Sequence, residues 1–200
     1  MGRPSTHTTD DFLDAAAGLF AQGGARALSM RAVARAINAP SGSIYHRFPD
    51  RPALLAALWL RTTRRFENSY LDALGGQPTP AGAVTATAWI VDWCRTHLSE
   101  AIVLQAGVHA FEPNEWAQSA KTELEEATKA QRKGLAKIVK TLADQTGIPR
   151  DQIAFTLIDL PLAVVRRHLV AAEPPPPAAS RLARALSTSV LLQTADAQSQ

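Results

Sequence analysis

Apolar residues recur along this chain at spacings of three and four, with no sustained alternation, so helices rather than strands are predicted throughout. Phe12, Ala15, Ala16, Leu19 and Phe20 form one such stripe, with Thr9 or Asp10 as its candidate cap and Gly23-Gly24 as its end. Ser29 is suited to cap a second helix whose inward stripe is Met30, Val33, Ala34 and Ile37. Asn38-Ala39-Pro40 interrupts it. A very short helix is then predicted from about Pro40 to His46, with Ile44 and Phe48 packing inward. Asp50 caps a fourth helix that opens at Arg51-Pro52, carries Leu54, Leu55, Leu58 and Trp59, and runs past Phe66. Proline is tolerated in that first turn because the amide it lacks has no intrahelical partner there.

Gly75-Gly76-Gln77-Pro78-Thr79-Pro80 is a cluster of breakers, and beyond it helices are expected over about 81–97, 99–110, 114–145, 149–171 and 178–194. Pro161 should kink the fourth of these, and the run Pro174 to Pro177 stiffens the link to the last. The expected fold is all-α: an N-terminal three-helix helix-turn-helix domain and a larger C-terminal helical bundle, about nine helices together. Expected boundaries are 1–50 for the first domain, 51–74 for a connecting helix, 80–194 for the larger domain and 195–200 for a disordered tail.

Charge sharpens this division. Residues 1–66 hold nine arginines against four acids, whereas residues 67–200 hold twelve basic residues against fourteen acidic ones. A basic front on a slightly acidic remainder is expected where one end faces a polyanion. Composition otherwise narrows the field by exclusion. The single cysteine, Cys94, can form neither an internal disulfide nor a multi-cysteine zinc site, which suits a reducing compartment. No apolar run approaches the roughly 20 residues that span a bilayer, and the N-terminus lacks a signal-peptide core, so a cytoplasmic protein without a membrane partner is expected. Cys94 and His97 alone do not make a metal site, and no acid pair, nucleophile–base set or phosphate loop is apparent. Neither a catalytic residue, a metal nor a cofactor is expected.

Two short helices joined by a tight turn are the arrangement with which a protein braces one helix on a duplex backbone and offers the next to a groove. Here the second begins Pro40-Ser41-Gly42-Ser43, whose small side chains permit close approach, and continues with Tyr45, His46 and Arg47. Ser29 and Arg31, at the start of the bracing helix, and Arg51, at the start of the next, are placed to meet phosphates. Candidate DNA contacts are therefore Ser29, Arg31, Ser41, Gly42, Ser43, Tyr45, His46, Arg47 and Arg51. The same pattern is also that of a plain three-helix core with a basic surface.

The segment from Ser29 to Leu55, SMRAVARAINAPSGSIYHRFPDRPALL, resembles the signature of the tetracycline-repressor (TetR) family. Ser29 stands at the family's cap, Val33-Ala34 at its apolar–alanine pair and Gly42 at its glycine. Ile44-Tyr45 stands for its Leu-Tyr pair, Phe48 for its phenylalanine and Leu54-Leu55 for its final leucines. Residues 15–24 are similar to the family's first helix and its glycine end, so the likeness covers roughly residues 8–66. Asn38 replaces the usual turn glycine, Pro40 a serine cap, Arg47 an aromatic and Arg51 a lysine; these departures bear on operator sequence. Met1-Gly2-Arg3-Pro4 resembles the family's basic arm, with Arg3 either entering a minor groove or merely beginning the chain.

The resemblance implies a sequence-specific transcriptional regulator, a repressor released by a small apolar or aromatic effector, bound to a double-stranded DNA operator. It also implies a homodimer through helices 149–171 and 178–194. A rear domain that binds a protein partner instead of a small ligand is the alternative. For an effector site the candidates are Trp89, Trp93 and His97, one turn apart on one helix, then His109, Phe111 and Trp116 around the next loop, and Phe155 and Asp159. Each of these aromatic and histidine residues reads as a plain core residue ahead of a ligand contact. Asp159, in an apolar run, is either a satisfied buried acid or a ligand anchor.

Overall fold

A computed structural model describes residues 7–75 and 77–192. The Arg3 arm and the tail at 195–200 lie outside the described residues. Every regular element among the described residues is helical, so the fold is all-α as expected. The chain divides into two compact units, one of residues 1–64 with 99–125 and the other of 65–98 with 126–200.

In the front unit, α1 (Thr9–Gly23) is capped by Thr8, not by Thr9 or Asp10. The Thr8 hydroxyl accepts from the Asp11 amide at 3.2 Å, and the Asp11 carboxylate accepts from the Thr8 amide at 2.6 Å. This reciprocal pair needs a carboxylate three residues beyond the cap, which Asp11 supplies for Thr8. Gly24, at φ 64°, ends the helix with a backbone angle that a Cβ would oppose. Ser29 caps α2 (Met30–Ala36) as predicted, its hydroxyl accepting from the Ala32 amide at 3.1 Å. Asp50 does the same for α3 (Arg51–Leu74), accepting from Ala53 at 2.8 Å. Phe12, Phe20, Val33, Ile44, Phe48, Leu54, Leu55 and Leu58 bury their side chains in one core. Burying a side chain of that kind contributes about 1.5–3 kcal/mol each.

Two of the predicted helix boundaries shift in this unit. α5 (Leu98–Ala106) stops short of residue 110, because Gly107 and Glu112 take left-handed φ angles of 74° and 56°. α6 (Gln118–Thr146) starts later than 114, after two short 3₁₀ turns that Pro113 helps separate. The connecting residues are well packed: Phe111 stacks on Phe20 with centroids 4.6 Å apart, and the Trp116 indole donates to the Phe111 carbonyl at 2.7 Å.

In the rear unit, Thr79 caps α4 (Pro80–Thr96), its hydroxyl accepting from Gly82 at 3.1 Å. α4 makes its most extensive contact with α9 (Pro177–Leu191). Ala179, Ala183, Ser187 and Leu191 recur every four residues on the buried side of α9, and the small size of the first three lets two helix backbones approach closely. Ser180 adds a hydrogen bond to the Asp92 carboxylate at 3.0 Å. The helix expected over 149–171 is interrupted. α7 (Arg150–Ala154) passes through a π turn, Phe155–Asp159, into α8 (Leu160–Val170). Pro161 explains it: its ring crowds the carbonyl four residues back and it has no amide to give, so the chain widens before it. No helix among the described residues is long and apolar enough to cross a membrane.

Candidate functional site

The second element of the helix-turn-helix is a compact turn rather than the predicted short α-helix. Residues from Pro40 turn into one 3₁₀ segment, Ser43–His46, with the Ser43 amide donating to the Pro40 carbonyl at 2.9 Å. Two helical turns would be needed to stabilise so short an α-helix, and Asn38, at φ 54°, and Pro40 leave room for less than that. Ile44 and Phe48 anchor the segment in the core, the Phe48 amide donating to the Ile44 carbonyl at 2.9 Å. With those two inside, Ser41, Gly42, Tyr45, His46 and Arg47 are presented outward, Tyr45 at 51% exposure. Arg31 is exposed at the start of α2, and Arg35, absent from the sequence-derived set, is exposed one turn later. The i, i+4 spacing of the two arginines was the signal that could have found it.

Not every arginine of the basic front faces outward. Arg51, expected at a phosphate, is held by its own fold: its guanidinium donates to the Leu28 and Ala25 carbonyls, both at 2.9 Å, and to the Glu112 carboxylate at 2.6 Å. The guanidinium spreads these donors over three nitrogens in a fixed plane, whereas a lysine would offer its donors from one point. Arg61 bridges Asp14 at 2.7 Å, Asp10 at 3.3 Å and Glu100 at 3.5 Å, with 12% of its side chain exposed. Arg64 pairs with Glu123. The Arg47 guanidinium reaches the His7 carbonyl at 3.0 Å, and Ser43 donates its hydroxyl to the Pro40 carbonyl at 2.6 Å. Arg51, Arg61 and Arg64 thus tie segments of the front unit together, and Arg26, Arg31, Arg35 and Arg47 are exposed on it.

The expected effector residues separate into three groups. His109, Phe111 and Trp116 belong to the front unit, where Phe111 and Trp116 are core and His109 is exposed. Trp89, Trp93 and His97 belong to the rear unit and form a ring cluster with two residues that sequence reasoning missed, Phe66 and Tyr70. Phe66 meets Trp93 edge-on at 4.9 Å, Trp89 lies 6.1 Å from Tyr70, and His97 stacks on Trp93 at 5.0 Å. The i, i+4 positions of Phe66 and Tyr70 on α3 were visible, but nothing local tied them to α4. Within this cluster the Tyr70 hydroxyl is buried and makes no hydrogen bond to the protein. Burial pushes its pKa up to about 12, and an unpaired buried donor costs about 1–3 kcal/mol. Cys94, next to Trp93 on α4, is buried and its thiol is likewise pushed up to about 12 by desolvation, which leaves no thiolate for nucleophilic chemistry.

Phe155 and Asp159 lie elsewhere. Asp159 is exposed, so the buried-acid reading does not hold. Phe155, 55% exposed, lines an open apolar groove of about 690 Å³ between α8 and α9, with Leu160, Val164, Leu182, Leu186 and Val190. Among the described residues, no three histidine, cysteine or acidic side chains are grouped to hold a metal.

The family model described as bacterial regulatory proteins, tetR family, matches residues 12–58, from α1 through the exposed turn into α3. The match shows that this N-terminal segment resembles the corresponding segment of the TetR family. Solved TetR-like structures resemble nearly its full length. The ketosteroid transcriptional regulator KstR2 of Mycobacterium tuberculosis superposes with a TM-score of 0.68 at 19% identity, over 94% of this chain and 97% of that one. The TetR family regulator PfmR of Thermus thermophilus gives 0.70 at 18%, again over 94% and 97%. The regulator FadR of Bacillus subtilis, solved in complex with stearoyl-CoA, gives 0.59 at 18%, over 94% and 97%. At these identities the likeness establishes the TetR fold. None of the curated proteins matches the chain. TetR-family regulators are DNA-binding transcriptional regulators, and the segment that resembles them here holds the exposed turn.

Proposed function

We propose that the protein is a homodimeric repressor that leaves its operator when a small apolar or aromatic effector binds the rear unit. The observation that carries the reading is the exposed turn Ser41–Arg47, fixed from behind by Ile44 and Phe48 and offering small side chains, a tyrosine and an arginine. Arg31 and Arg47 supply the charge for phosphates, and Tyr45 and His46 supply the shape for base edges. The α8–α9 groove supports the dimer. An exposed ring at Phe155 beside leucines and valines is costly in water and is relieved by a second copy of the same surface. Two copies would set their recognition turns about 34–36 Å apart on a pseudo-palindrome. An effector would favour another spacing, to the extent that it binds the two shapes differently. The stearoyl-CoA held by the Bacillus subtilis structure supports a small molecule in that role.

Electrophoretic gel shift on the region upstream of its own gene tests this. Binding should be selective over unrelated duplex, and the logarithm of affinity should fall linearly with that of salt concentration. Equal affinity for any duplex, or no response to salt, would refute the reading.

A further inference from the structure

The ring cluster of the rear unit has features that a plain core does not require. Phe66 and Tyr70 lie one turn apart on α3 with nearly parallel rings, 6.1 Å between centroids and 3° between planes. Trp89 is tilted against both, at 5.8 Å from Phe66 and 6.1 Å from Tyr70. Phe66, Tyr70 and Trp89 are each partly exposed rather than sealed in the core. The Tyr70 hydroxyl nevertheless points where neither solvent nor a protein acceptor reaches it. A tyrosine in a core ordinarily finds a partner for its hydroxyl, and phenylalanine serves where there is none. Half-covered rings around an unpaired donor describe a surface fitted to a flat molecule that carries an acceptor.

The neighbours of Tyr70 narrow the acceptor. Glu67 lies three residues before it on α3, on the same side of the helix, and is half-buried. Burial raises the pKa of that carboxyl above its usual value. A ligand carboxylate or phosphate set there would meet the same desolvation that burdens this acid. A neutral carbonyl meets no such opposition.

We propose that the cluster of Phe66, Tyr70, Trp89 and Trp93 binds a flat, uncharged aromatic carbonyl compound, whose oxygen accepts the Tyr70 hydroxyl hydrogen bond. The inference rests on the effector-released reading above and names the ligand class for it. Tyr70 sets specificity by favouring a molecule that carries the oxygen over one of the same shape without it, because only the former gives the unpaired donor a partner.

The test uses the full-length protein and three probes of similar shape: 9-fluorenone, fluorene and fluorene-9-carboxylate. Affinities are read from tryptophan fluorescence in wild type and Tyr70→Phe. Fluorenone should bind the wild type about tenfold more tightly than it binds Tyr70→Phe. Fluorene should bind both alike, and more weakly than fluorenone binds the wild type; the carboxylate should bind weakest. Unliganded Tyr70→Phe should melt no lower than wild type, since its hydroxyl has no protein partner to lose; a clearly lower melting point would point to a structural role. The inference is overturned if fluorenone binds both proteins equally, if fluorene matches it, if the carboxylate binds tightest, or if no probe binds. Gel shift on the same preparations separates the two readings. Selective DNA binding with failed probes removes only the ligand class, whereas loss of selective DNA binding removes the repressor.

Discussion

In the front unit, charged groups cross between segments far apart in the chain: Arg61 meets Asp10, Asp14 and Glu100, while Arg51 meets two carbonyls and Glu112. In the rear unit the largest helix contact runs through Ala179, Ala183 and Ser187, and the core cluster beside it is aliphatic, with Leu142, Ile153 and Leu157 fully buried. The difference is one of directionality. Hydrogen bonds to a guanidinium fork weaken steeply with angle, so they hold one arrangement. Apolar contact is non-directional, so helices can slide by small steps at low cost. A reader of DNA benefits from the first property, and a domain that must accommodate a guest benefits from the second.

The largest expected effect breaks the front unit at its remote segment. Phe111→Ala removes a fully buried ring stacked on Phe20, and should cost about 3–5 kcal/mol in urea unfolding. A loss below about 1 kcal/mol would mean that residues 99–125 are not integral to that unit. Arg51→Ala comes next, at about 2 kcal/mol, because it strands two carbonyls and a carboxylate. Arg51→Lys should recover less than half of this despite keeping the charge. Full recovery would show that Arg51 acts through charge alone. The smallest change separates presentation from stability. Tyr45→Ala should leave the melting temperature and the dimer unchanged, by calorimetry and sedimentation, while operator affinity falls about tenfold. Unchanged affinity would take Tyr45 out of the interface.

What could be read from sequence was local. The stripe Phe12, Ala16 and Phe20, the Ser29 and Asp50 caps and the inward pair Ile44 and Phe48 all follow from residues within a turn or two of one another. Asn38 at a left-handed angle was likewise legible, since asparagine tolerates it. What was not legible depended on distance along the chain. Arg51 looks like a phosphate ligand until Glu112, sixty-one residues on, is found against it. Phe111 and Trp116 look like effector contacts until Phe20 is found beneath Phe111. Tyr70 carried no sign of its missing partner, because an orphaned donor exists only once its surroundings are known. The Thr8 cap is a subtler case: Thr8, Thr9 and Asp10 are all good caps alone, and only the reciprocal bond with Asp11 chooses among them.

The wide turn ahead of Pro161 has a bearing on the outer face of the rear unit. A five-residue turn brings Phe155 into line above Leu160, whereas ordinary α spacing would align Thr156 there. Thr156 is instead wholly inside, its hydroxyl returned to the Gln152 carbonyl at 2.7 Å. A single imino acid therefore chooses between a ring and a hydroxyl as the side chain displayed at that edge. Surface chemistry here is dictated by helical phase, and a change at position 161 could rewrite it without touching any residue on the surface itself.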